Sequence, residues 1–357
     1  MKKQYYLLLV ALMLNLVPNN AFSEVTFKGL MFGEYYLVLN HNSGEVEKGG
    51  IEGRHGFWFR RIYFTSEAKL TDNIKMRLRL EMQSPGSLPF DSSAKLEAYV
   101  KDAYLSYKTG GHELILGIQA SPTFGHTVGG IWGYRHLEKT PLDLTKLRTS
   151  RDFGITLKGT LDKIKSVSYM VMFANGASVK GETDKGKIVY GALSFKPVKG
   201  LIFEVYGDYE TRKDNKTYYT YQGFAACQGD WGRIGVLYAR QHLKQAMRGE
   251  DDKENDYDII SAFAVVKVNK KMDAIARFDR MFGNGFESNF KGTEVSFVPF
   301  AKNPGAAFNF IIAGISWNAA KNLWLIPNIK YVLYGDPDKG DKPDTDAYGN
   351  LTFYFKF

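Results

Sequence analysis

The chain has 357 residues, a formal net charge of +9, 22 Tyr, 25 Phe and 36 Gly. Its mean hydropathy is −0.28, which fits either a secreted globule or a barrel whose lipid-facing surface is diluted by a polar lumen. The single cysteine, Cys227, excludes an intrachain disulfide, and the modest positive surplus matters only where it is concentrated.

At the N-terminus, Lys2 and Lys3 precede an apolar run from Tyr5 to Val17, then Pro18-Asn19-Asn20 and Ala21-Phe22-Ser23. A charged start, a short apolar core and a small-x-small site predict a signal peptide over 1–23, cleaved after Ser23. The run is shorter than the roughly 20 residues that a spanning helix needs. No later stretch approaches that length.

From residue 24 the chain reads as strands. The clearest is Ile74 to Gln83: Ile74, Met76, Leu78, Leu80 and Met82 take one parity, and Lys75, Arg77, Arg79, Glu81 and Gln83 the other. Only a strand separates these two sets cleanly. The same period predicts sixteen strands, at about 24–40, 56–70, 74–83, 95–108, 113–120, 151–160, 166–175, 188–196, 201–209, 219–228, 231–240, 258–268, 272–280, 308–317, 323–333 and 347–357. The connections alternate short and long. Thr71-Asp72-Asn73, Gly229-Asp230 and Asn269 to Lys271 are tight turns; 41–55, 84–94, 121–150, 241–257 and 281–307 are long and polar. Sorting of that kind predicts an all-β fold, a transmembrane antiparallel barrel of about 16 strands occupying 24–357. Cys227 falls in a strand pattern, as a small buried or lipid-facing side chain. Tyr35, Tyr63, Tyr107, Trp231 and Tyr331 fall near strand ends and suit interfacial girdles.

The final strand places Leu351, Phe353, Phe355 and Phe357 on one parity. Unpaired backbone is costly in hydrocarbon, so a sheet there has no free edge and its first and last strands must pair. The terminal strand is therefore expected to be the closing seam, with its apolar side toward lipid.

Several stretches together resemble the phosphate-selective porin O and porin P family of bacterial outer membranes. They include Arg60-Arg61, Lys101-Asp102-Ala103-Tyr104, Leu116-Gly117-Ile118-Gln119 with Pro122, Ser150-Arg151-Asp152-Phe153-Gly154, Ala174-Asn175-Gly176 and Phe195-Lys196-Pro197. The resemblance implies a sixteen-stranded barrel, a homotrimer, that passes small solutes across the outer membrane. It also implies that the third long loop, 121–150, folds inward as a constriction, and that a C-terminal phenylalanine serves barrel assembly. Expected partners are outer-membrane lipid and lipopolysaccharide, with small anionic or polar solutes. No nucleic acid is expected.

Such a channel works by pore size and internal field. The lumen-facing parity gives cations at Lys28, Lys75, Arg77, Arg79, Lys158, Arg233, Lys267, Arg277, Lys330 and Lys356. It gives acids at Glu34, Glu81, Asp152, Glu204, Asp208, Asp273 and Asp279. In the second strand Arg61, Glu67 and Lys69 take the inward parity, and Arg60 falls on the other face. The loop adds Arg135, Lys139, Lys146 and Arg148. Cation rings favour anions. Lys75, Arg77 and Arg79 recur about every 7 Å along one strand, a spacing that passes an anion along. The same cations can instead pair across strands with acids such as Glu67 and Glu81, as ordinary lumen salt bridges.

The histidines show no metal-ligand spacing, so neither a metal nor a cofactor is expected. No Ser-His or His-Asp arrangement suggests an enzyme. A barrel scaffold sheathing a partner such as a cytochrome is the alternative. It would need a wider lumen than the long third loop suggests.

Overall fold

The computed structural model describes residues 25–42, 48, 50–83, 96–213, 216–245, 253–283, 306–337 and 341–357. The predicted signal peptide, 1–23, lies outside them. Sixteen strands close into one antiparallel barrel. They are β1 (Val25–Asn40), β2 (His55–Lys69), β3 (Ile74–Gln83), β4 (Glu97–Thr109), β5 (His112–Ala120), β6 (Arg151–Thr160), β7 (Val167–Ala174) and β8 (Ile188–Phe195). The others are β9 (Leu201–Arg212), β10 (Lys216–Gly229), β11 (Gly232–Gln245), β12 (Lys253–Asn269), β13 (Met272–Gly283), β14 (Phe308–Ala320), β15 (Leu323–Tyr334) and β16 (Asp346–Lys356). Three single-turn helices, α1 (Pro122–Gly125), α2 (Val128–Trp132) and α3 (Pro141–Leu144), lie in the loop between β5 and β6. No helix among the described residues is long and apolar enough to cross a membrane.

The strand pattern agrees with the sequence reading, with one systematic difference. The hairpins β9–β10 and β11–β12 run several residues further on the long-loop side than alternating apolar residues indicate. Polar side chains carry the ladder on there. Arg240, His242 and Lys244 stand directly opposite Asp258, Asp256 and Glu254. Arg240 and Lys244 form ion pairs at 2.7 and 3.6 Å, and the His242 ring nitrogen lies 2.7 Å from the Asp256 carboxylate. Opposite charges facing each other across a ladder favour pairing.

Closure follows the expected seam. β16 pairs with β1 from Leu30↔Lys356 to Leu37↔Gly349. Gly29 and Phe357 exchange both backbone hydrogen bonds at 3.0 Å. Outside this seam the aromatic rings of Phe353 and Phe357 lie across Gly33 and Gly29, where a Cβ would collide with them.

The outer surface is apolar: Phe27, Leu78, Leu116, Phe173, Val205 and Val236 are all exposed. Tyr63 leaves the predicted girdle and faces inward, packed against Phe32. The inner surface is divided. Along β7 to β15 apolar side chains interrupt the buried charges, with Met172, Tyr190, Phe224, Ile259, Phe310 and Ile326 in one cluster with Trp132, Leu137, Leu142 and Leu144 of the β5–β6 loop. Where both parities are apolar, alternation cannot tell inside from outside, and these side chains form a core within the barrel.

Gly33 is the seam position with least room, since a side chain there meets the Trp58 backbone carbonyl as well as the Phe353 ring. Gly33→Val should destabilise the barrel by roughly 1–3 kcal/mol through overpacking. Gly29→Ala, whose nearest clash is with the Phe357 side chain rather than with backbone, should cost less. The temperature at which the compact barrel band is lost on semi-native gels reads both; equal losses would contradict this ranking.

Candidate functional site

Two β-bulges set up the site. Opposite Phe32 and Gly33 of β1 stand Arg61 and Phe59, so Arg60 is an extra residue in β2. Opposite Arg79 and Leu80 of β3 stand Asp102 and Val100, so Lys101 is extra in β4. A bulge re-aims side chains, and here it turns two consecutive charged residues inward in each strand. Strict alternation puts Arg60 outside. The structure puts it inside, 1% exposed, bonded to Glu34 at 3.0 Å. Arg61, beside it, pairs with Glu81 at 2.6 Å.

The 121–150 segment crosses the barrel interior. It touches side chains of β2, β9, β11, β13 and β15, and only a chain within the lumen can reach all of them. Arg60 donates to the Leu137 carbonyl at 2.8 Å. Arg233 donates to those of Ile131 and Trp132 at 2.6 and 3.0 Å. Arg277 donates to that of Lys139 at 2.5 Å and Gln241 to that of Leu147 at 2.8 Å. Buried carbonyls need donors, and wall side chains supply them.

Charges fasten the segment as well. Glu138 sits between Arg60, at 3.6 Å, and Lys330, at 3.5 Å. Arg148 bonds Asp208 and reaches Glu210 at 2.8 Å. Tyr134 donates to Asp273 at 2.8 Å. Burial acts to raise the Glu138 carboxyl, but Lys330 and Arg60 hold it below its ordinary value. Burial pushes His136 down to about 3, helped by Arg60 and Arg233, so its imidazole is neutral. Burial likewise pushes Lys139 down to about 7, against the pull of Asp143.

An open cavity of about 180 Å³ remains between the segment and the β1–β4 and β16 wall. Its charged lining is Arg79, Lys101, Arg135 and Arg151; Phe32, Tyr63, Phe124, His136 and Tyr354 supply rings. No carboxylate lines it among the described residues. The matching acids stand behind: Glu81 on Lys101 at 3.2 Å, Asp102 on Arg151 at 2.6 Å, and Asp143 on Arg135 at 3.3 Å. Glu81, Asp102 and Asp143 are all buried.

The residues singled out from sequence thus separate into groups. Arg79 and Arg135 reach the cavity. Arg61 lies behind it, and Arg77 bridges Glu67 and Asp102 at 3.1 and 3.3 Å. Arg233, Arg277, Lys330 and Arg148 hold the crossing segment, and Lys139 is buried within it. Lys146 is exposed, with a φ of 56°. Lys75 is exposed and Lys158 half-buried toward the short-turn end, Lys158 beside Glu113 at 3.3 Å. Lys101, Arg151 and the rings were not singled out as lining residues. For Lys101 the signal is a bulge, which alternation conceals.

No protein-family model matches the chain, and no curated protein does. Solved structures do. The anion-selective porin from Comamonas acidovorans gives a TM-score of 0.65 at 12% identity, covering 94% of this chain and 99% of that one. The outer membrane channel DcaP of Acinetobacter baumannii gives 0.64 at 12%, over 94% and 97%. OmpT of Vibrio cholerae gives 0.62 at 12%, over 96% and 100%. At these identities the likeness is one of fold: the chain has the porin-like closed β-barrel of these structures.

Removing Glu138 leaves Arg60 and Lys330 without their shared carboxylate, a loss of about 3–5 kcal/mol for a buried charge network. Glu138→Ala should keep the barrel but loosen the segment, so that limited proteolysis cuts within 121–150 faster than in the wild type; equal rates would contradict this. Lys139 gives a pH test. It titrates at 10.5 when unperturbed and at about 7 when folded. Between those values the unfolded chain binds more protons, so the penalty for burying Lys139 is full below the lower value and relieved as pH rises. The thermal midpoint should therefore climb more between pH 7 and 10 in the wild type than in Lys139→Met. Parallel curves would refute the assignment.

Proposed function

We propose that the chain is an outer-membrane channel for passive diffusion of small hydrophilic solutes, with a preference for phosphate-like or carboxylate anions. One observation carries the reading. The passage beside the crossing segment is lined by Arg79, Lys101, Arg135 and Arg151 while their carboxylate partners are turned away from it. Each ion pair is nearly neutral from afar, yet an entering solute meets the positive end first. Low-dielectric walls strengthen that local field, and rings of Arg and Lys favour anions. Guanidinium forks add paired hydrogen bonds to carboxylate or phosphate.

The resemblance to the phosphate-selective porins supports the phosphate-like part of the reading. A fold shared with the anion-selective porin of Comamonas acidovorans supports the anion part. A trimer form among the similar structures supports a homotrimer set in outer-membrane lipid and lipopolysaccharide. Residues 121–150 act as the constriction. The chemistry is passage, with no bond made or broken. A scaffold around a cytochrome is disfavoured because the crossing segment occupies the space a partner would need.

The test is the reversal potential of purified protein in a planar bilayer under a potassium chloride gradient. The sign should be that of an anion channel, and Arg79→Gln with Arg151→Gln should at least halve it. A cation-selective sign in the wild type would sink the reading.

A further inference from the structure

The passage carries more aromatic surface than an inorganic oxyanion can use. Phe32 lies 6.3 Å from Tyr63 and 6.5 Å from Tyr354, centroid to centroid. Tyr354 stacks on His136 at 4.2 Å with the planes 2° apart. The rings adjoin one another; Phe32 and His136 are buried behind, and Tyr63, Phe124 and Tyr354 present most of the accessible faces. The cations are seated on rings of the same lining: Arg79 lies 5.1 Å from the Tyr63 centroid, and Arg151 lies 5.5 Å from that of Phe124. Charge and apolar surface therefore belong to one site.

We infer that this site selects organic anions carrying a planar apolar body, aromatic carboxylates foremost, over inorganic phosphate. The inference rests on the anion-channel reading and narrows its solute class. A carboxylate can meet the guanidinium forks while its ring lies on the aromatic patch. Drying that ring is favourable. Inorganic phosphate is polar on every side, and ring carbons offer no donors for the water it must shed. Size agrees as well. An apolar cavity near 150 Å³ takes up benzene, and this one is about 180 Å³. The neutral His136 ring belongs with the patch rather than with the cations. Aromatic and cationic side chains share the lining, so one site can meet both ends of such a solute.

The experiment compares benzoate, acetate and inorganic phosphate as blockers of chloride current through purified channels, with benzylammonium as the charge control. Benzoate should block at a concentration about tenfold lower than acetate or phosphate, a difference of roughly 1.4 kcal/mol. Benzylammonium should not block. Tyr354→Ser and, separately, Phe124→Ser should bring benzoate toward acetate, with folding read from gel mobility. An anion-selective channel that benzoate and acetate block alike overturns this inference and leaves the anion reading standing. A channel without anion preference overturns both. The wild-type comparison decides even if neither variant folds.

Discussion

Everything inside this barrel depends on how a thirty-residue crossing segment satisfies its backbone away from bulk water. Buried peptide groups need partners, and this segment has only short single-turn helices of its own. The wall provides the missing donors. Arg60, Arg233, Arg277 and Gln241 all aim at its carbonyls. Glu138 and Arg148 return the favour by meeting wall charges. Guanidinium groups suit the task because their forked donors stay charged and planar. Arginines that alternation points inward are thus divided between holding the segment and facing the passage.

That division sets the asymmetry of the interior. On the β7–β15 side, loop and wall share an apolar core around Trp132, Phe224 and Phe310. On the β1–β4 side, two bulges crowd charged pairs into the wall, Arg60-Arg61 and Lys101-Asp102. The cavity lies on the second side. Buried apolar packing around the cavity lets its few unscreened charges act strongly.

Much of the fold is legible in the sequence because its physics is local. β3 separates Leu78 from Arg79 by parity alone, and the terminal strand shows its apolar face up to Phe357. Tight turns and long loops fix the up-and-down order. The interior is less legible because it is made by contacts distant in sequence. Nothing near Lys330 indicates that its ammonium meets Glu138. Arg60 lies on the wrong parity unless the bulge is known. Tyr190 and Ile259 sit in strands apolar on both sides, so alternation says nothing of which face is the core. In the site, the cations of β3 were readable from spacing, whereas the rings of Phe32, Phe124 and Tyr354 were not. An aromatic residue on an inner face reads as core until the cavity beside it is seen.

The central claim of the proposed function is that solutes pass on one side of the crossing segment, by the cavity it leaves. Cysteine accessibility tests it most directly, in a background where Cys227 is replaced by serine. Ser150 borders the cavity; Thr220 is buried on the filled side, bonded to Gln241. A charged thiol reagent added to open channels should cut the current through Ser150→Cys and leave Thr220→Cys untouched. Rapid modification at Thr220→Cys, or none at Ser150→Cys, would mean that solutes take another route.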